Sequence, residues 1–151
     1  MVKNVDSLKS YEINTQTSLI PSTVERIKEA RGIAYSTFSG RPISLCRSLE
    51  RRGELRVKFE EPIYISTVQL EDGFAKCTRD QPIVGVTKDI SPHGVGFCYD
   101  EKIETDFVIA EFDLFGRGTE HLLIEIRWNE KNAPHSYVAG GLIIGVATEV
   151  H

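Results

Sequence analysis

From Val57 onward the apolar residues recur at every second position, and that period commits most of the chain to strands. The clearest case is a pair of segments. Val108, Ala110, Phe112 and Leu114 form one alternating set, and Leu122, Ile124, Ile126 and Trp128 alternate over His121, Leu123, Glu125 and Arg127. Gly116-Arg117-Gly118 between them reads as a hairpin loop. The same period runs through Val57 and Phe59, resumes at Ile63 and Ile65 past Pro62, and returns over Phe74–Thr78, Ile83–Lys88 and Val95–Tyr99. Pro62 suits the start or edge of a strand, because it brings no N–H to a ladder. A last strand is expected from about Tyr137 to Val146, with turns at Glu71-Asp72-Gly73 and Asp89–Gly94. About six short strands with turn residues between them predict an antiparallel barrel or sandwich.

Ahead of the strands the pattern differs. Residues up to Leu19 are polar and weakly periodic, so they are expected to be a loose arm or to pack locally. Ser22-Thr23-Val24-Glu25 has the form of a capping box, which predicts a short helix near residues 22–31 with Val24 and Ile27 on one face and Gly32 as the stop. Ile33 to Arg47 reads as irregular. The chain has 151 residues, enough for one domain with its own core. Cys46, Cys77 and Cys98 are widely spaced and form no CxxC pair, so free thiols in a reducing cytoplasm are expected. No secretory leader is evident. The apolar run Tyr137–Ala147 carries three glycines and is too short for a membrane span.

Charge is distributed unevenly. Arg41 to Lys58 holds six cations and two anions, a local balance of +4 in a chain whose net charge is −4. The acidic total argues against a general DNA or RNA binder. Arg51, Arg52 and Arg56 crowd directly ahead of the first strand. A planar guanidinium gives two parallel hydrogen bonds to a phosphate or to the O6/N7 edge of guanine, so the knot points to an anionic, nucleotide-like ligand.

Arg52-x-x-x-Arg56 has the R-x-x-x-R form, preceded by Arg51, and Asp89-x-Ser91-x-x-Gly94 has the D/N-x-S-x-x-G form. In this order, on a background of strands, the two motifs resemble the PilZ domain family of bacterial cyclic di-GMP receptors. The resemblance spans roughly Leu49 to Thr148. It implies an all-β domain, a six-stranded antiparallel PilZ-type β-barrel at 49–148, following an N-terminal extension at 1–48 that carries the short helix. Such a domain binds cyclic di-GMP on its outer surface, uses no cofactor or metal, and performs no chemistry. The resemblance gives Arg52 and Arg56 the phosphate and guanine contacts, and Asp89 and Ser91 the guanine edges. Gly94 becomes the glycine that turns the chain beside the ligand. An arginine in the position of Arg51 favours two mutually intercalated cyclic di-GMP molecules over one. Gly140 resembles a last-strand glycine that leaves space near a base, although the aromatic that often follows it is Ile143 here. The long N-terminal extension and the lack of a C-terminal helix depart from the common pattern. A conformational change on binding, read by a downstream protein partner, is the implied output, and a ligand-independent adaptor on the same barrel is the alternative.

Other readings of the same residues are blander. Arginine clusters are often solvated surface, Asp89 could make an Asx turn, and Gly94 could supply a positive φ. Trp128, Phe112 and Phe107 fall at strand period and are expected to be core or half-core. Asp89, Ser91 and His93 stand nearly in a row, which does not give the geometry of a catalytic triad. His93, His121 and His135 match no metal-ligand spacing.

Overall fold

The computed structural model describes residues 8–30 and 57–150. Among them the chain forms β1 (Ser10–Asn14), α1 (Leu19–Ala30), β2 (Val57–Lys58), β3 (Pro62–Glu71), β4 (Phe74–Cys77), β5 (Ile83–Ile90), β6 (Gly94–Tyr99), β7 (Phe107–Asp113), β8 (Thr119–Ala133) and β9 (Ser136–Val150). The fold is all-β with one short helix, and every strand pairing is antiparallel. No helix among the described residues is long and apolar enough to cross a membrane.

Turn chemistry sets the hairpins. Asp72 and Gly73 take φ of 51° and 83°, so β3 reverses into β4 through two residues, with Glu71 opposite Phe74. Between β7 and β8, Phe115, Gly116 and Gly118 have positive φ, and the Leu114 N–H donates to the Gly118 carbonyl at 2.9 Å. Pro62 opens β3, as its missing N–H requires.

The sheet closes on itself. Pairing runs from β3 through β7, β8, β9, β6 and β5 and returns to β3, where Pro62–Ile65 lie opposite Val86–Ile83. The far half of β3, Val68–Glu71, pairs instead with β4. β4 pairs with β1, and β1 pairs with β9, making a second ring on the other face of the same shared strands. Side-chain parity separates the two interiors. Ile65, Val108, Ala110, Leu122 and Ile124 face the first, whereas Val68, Ile109 and Leu123 face the second.

The described part of the N-terminal arm, residues 8–19, is therefore more ordered than its polar composition suggested. Tyr11 is 1% exposed and anchors β1. The strand is held by ladder bonds on both edges, so it needs few apolar side chains of its own.

The helix also differs from its sequence signature. It starts at Leu19, a turn before the expected cap, because Pro21 lacks the N–H that a first turn leaves unused anyway. Ser22 is thus inside the helix, and its hydroxyl donates to the Leu19 carbonyl at 3.0 Å. Glu25 pairs with Lys28 at 2.7 Å and does not complete a capping box. Gly32, the expected stop, lies outside the described residues. Ile20, Val24 and Ile27 are buried in the first ring's core, and each contributes ~1.5–3 kcal/mol. That docking stabilises a 12-residue helix that would be marginal alone. Arg26 adds an ion pair to Glu120 of β8 at 2.9 Å.

Candidate ligand-binding face

Asp89 sits at a β-bulge. Thr87 pairs with Phe97 and Asp89 with Gly96, so Lys88 is an extra residue that bends β5 and re-aims the Asp89 side chain. From Asp89 a single row crosses the outer face of the first ring: Lys58 on β2, Asp89 on β5, Gly96 on β6, Gly140 on β9 and Trp128 on β8. Both glycines admit a close approach, tighter at Gly140 than at Gly96. A Cβ on Gly96 would lie 3.0 Å from Asp89 Oδ1, and one on Gly140 would lie 2.5 Å from Trp128 Nε1. The half-buried carboxylate and the indole thus lie over a two-glycine floor, one on each glycine.

The expected space over Gly140 is already filled by that indole. Trp128 is 46% exposed, which corrects its reading as core or half-core. The physical cause is a register shift between Ile126 and Trp128, which reverses the parity that had pointed Ile124 and Ile126 inward. Phe112 is fully buried and Phe107 half-buried, as expected. Sequence offers one hint of the reversal, because Trp128 begins a polar run through Asn129, Glu130 and Lys131.

Ser91 and Gly94 form the turn between β5 and β6. The Ser91 N–H donates to the Gly94 carbonyl at 2.8 Å, and the buried Ser91 hydroxyl lies 3.4 Å from the same oxygen. His93 accepts from the Ile143 N–H at 2.8 Å through its carbonyl, fixing the turn to β9. Among the described residues positive φ falls elsewhere, so Gly94 does not serve this turn through a left-handed backbone. Gly94 stands opposite Leu142, at the rim of the floor.

The segment entering the sheet is clamped beside Asp89. Val57 pairs with Ile90 and Lys58 with Asp89. Past β2, the Phe59 N–H donates to the Lys88 carbonyl at 2.9 Å, and Phe59 is 1% exposed. The buried Thr87 hydroxyl donates to the Phe59 carbonyl and accepts from the Glu61 N–H at 2.9 Å. Arg51, Arg52 and Arg56 lie outside the described residues; of the rest of the expected set the face holds Asp89 and Gly140, with Gly94 at its rim and Ser91 buried in the adjoining turn.

Two cavities among the described residues are lined by none of these side chains. One of about 340 Å³ is lined by Tyr64, Ser66, Cys77, Arg79 and Glu111, and another of about 360 Å³ by Lys102, Asn129, Lys131 and Tyr137. No cluster of three or more His, Cys, Asp or Glu among the described residues could hold a metal ion. Cys77 and Cys98 are free thiols, and Cys46 lies outside the described residues. No family model and no curated protein matches this chain.

Proposed function

We propose that the outer face around Asp89, Gly96, Gly140 and Trp128, together with Arg51, Arg52 and Arg56, binds cyclic di-GMP and that the chain is a receptor, not an enzyme. One observation carries this reading: β2 pairs with β5 so that Lys58 stands opposite Asp89 and Val57 opposite Ile90. Arg56 is bonded to Val57, which sets its Cα about 3.8 Å from a residue paired beside the Asp-x-Ser turn. Arg52, five residues from Val57, can be no more than roughly 18 Å away along the chain. The two motifs, more than thirty residues apart in sequence, are thereby tied to one edge of the sheet.

The chemistry then divides. Guanidinium forks suit the phosphates and the guanine O6/N7 edge, and the Asp89 carboxylate suits the guanine N–H donors. The exposed Trp128 indole offers a face on which a base can stack, a contact worth about 1–3 kcal/mol per base. Ligand binding is the input, and a protein partner reads the changed surface. Calorimetry with cyclic di-GMP tests this. Heat is expected at roughly tens of micromolar protein and ligand, a range that detects micromolar affinity. Silence there overturns the reading. Arg52→Ala is expected to weaken binding by about 2–5 kcal/mol. A stoichiometry of two ligands per chain assigns Arg51 the intercalated pair, and one ligand removes that role.

A second reading, a ligand-independent adaptor, draws on an exposed apolar stripe beside the same face. Tyr64, Val84 and Val86 are 50%, 57% and 46% exposed, and Tyr64 pairs with Val84. It gains ground if calorimetry is silent while Val84→Glu alters association with a partner.

A further inference from the structure

The first ring has two ends with opposite treatment. α1 stops one of them, with Arg26 reaching Glu120 near the start of β8. At the other end, where β8 runs out past Asn129 and β9 begins, Lys102, Asn129, Lys131 and Tyr137 line a cavity of about 360 Å³, a size typical of small-molecule sites. Two features of this end are unusual for the molecule. Most described cations, Lys9, Arg26, Arg79 and Arg127 among them, lie within 4 Å of a carboxylate. Lys102 and Lys131 have no such partner among the described residues, yet they converge on one cavity. Glu101, beside Lys102 in sequence, is engaged by Arg79 at 3.1 Å.

The second feature is an aromatic column. Phe97, Tyr99 and Tyr137 follow one another at centroid distances of 5.6 and 5.4 Å, and the last pair is stacked at 13°. Tyr99 is fixed by its hydroxyl, which donates to Asn129 Oδ1, and the Asn129 amide reaches toward the Ile103 carbonyl at 3.4 Å. Tyr137 therefore presents a pre-oriented ring to the cavity. A ring face carries negative quadrupole density, so it favours a flat partner and repels a bare anion. Two lysines favour the opposite, a carboxylate or phosphate.

We propose that this end of the ring is a second ligand site, for a small planar anion. The flat body stacks against Tyr137, the acidic group bridges Lys102 and Lys131, and Asn129 supplies a polar contact at the rim. The site is independent of the glycine floor and uses none of its residues.

Three probes test it by backbone-amide NMR titration of the full chain: benzoate, adenosine monophosphate and inorganic phosphate. Saturable shifts at Lys102, Asn129, Lys131 and Tyr137 with the ring-bearing probes are expected, weakened about tenfold or more in Lys102→Ala/Lys131→Ala. Binding of adenosine monophosphate but not benzoate identifies the acidic group as phosphate, and the reverse identifies it as carboxylate. Asp89→Asn should leave all these titrations unchanged, which separates this site from the proposed cyclic di-GMP face. The proposal is overturned if neither ring-bearing probe shifts these amides or if the double variant binds as the parent does. It is equally overturned if inorganic phosphate binds as tightly as the ring-bearing probes, which would mean an adventitious ion only.

Discussion

Leu122 and Leu123 are neighbours on β8, equally buried, and they belong to different interiors. Leu122 belongs to a core of twenty buried residues, among those described, that includes Phe59, Phe97 and Phe112 and is stopped by a helix. Leu123 faces a core of seven, closed by β1 and β4, in which Tyr11 and Cys77 bring polar atoms inside. The Tyr11 ring lies 5.1 Å from that of His121, whose Nε2 is 3.2 Å from Glu111 Oε1. Ladder bonds close both rings, but the larger interior is filled by apolar side chains alone over most of its volume, whereas the smaller one mixes a few apolar side chains with polar contacts. A sheet can be buried on both faces without the two faces being equivalent. The candidate face lies on the outside of the larger ring, whose packed interior backs the strands that carry the glycine floor.

The widest separation is expected from large truncations. Phe112→Ala removes a fully buried ring packed 6.3 Å from Phe59 and should cost about 3–5 kcal/mol in urea denaturation. Leu122→Ala and Leu123→Ala then compare the faces with the same chemistry. About 3–5 kcal/mol is expected at Leu122, where close-packed neighbours cannot fill the void, against about 2–3 kcal/mol at Leu123, where a small core can collapse. Equal losses would show that the two interiors are packed alike.

Much of the larger ring was legible in the sequence, for a physical reason. Val108, Ala110, Phe112 and Leu114 face one way, and period two records a face directly. The second ring was hidden by the same rule. Ile109 and Leu123 sit at positions that a one-sided sheet gives to polar residues, and they were the trace of a second buried face. β1 left almost no trace, since backbone pairing on both edges substitutes for an apolar pattern. Trp128 was misread because a register shift leaves only an indirect mark in a residue list, here the polar run that follows it. At the candidate face the Asp89–Gly94 turn was readable from turn chemistry. The opposition of Gly96 to both Asp89 and Gly140 depends on strand order, which local sequence does not contain.

A smaller effect tests the larger core's polar clamp. Thr87 is 1% exposed, and its hydroxyl serves both Phe59 and Glu61, holding the incoming segment on β5. Thr87→Val keeps the shape and strands the Glu61 N–H, so a loss of about 1–3 kcal/mol is expected. If the clamp also positions the arginines, cyclic di-GMP affinity should fall in this variant under conditions where it remains fully folded. Retained affinity would confine Thr87 to stability.

The smallest contrast is in pH, because each interior holds one buried tyrosine. Burial raises the Tyr99 hydroxyl from 10.0 to about 12, with neighbouring Tyr137 adding to the shift and the bond to Asn129 opposing it. Tyr11 is pushed up further, first by burial and then by the nearby Cys77, Glu149 and Glu111, against a hydrogen bond with Ser66. In both cases the folded chain keeps a proton that the unfolded chain releases near 10.0. That stability is complete below about pH 10 and declines as pH rises toward the folded value. The decline should level off near pH 12 for Tyr99 and continue beyond it for Tyr11. The total loss of unfolding free energy from neutral to strongly alkaline pH should therefore be smaller in Tyr99→Phe, and smaller still in Tyr11→Phe once pH passes about 12. The reverse order would mean that the smaller interior admits water, and that its polar contacts are solvated and do not hold it together.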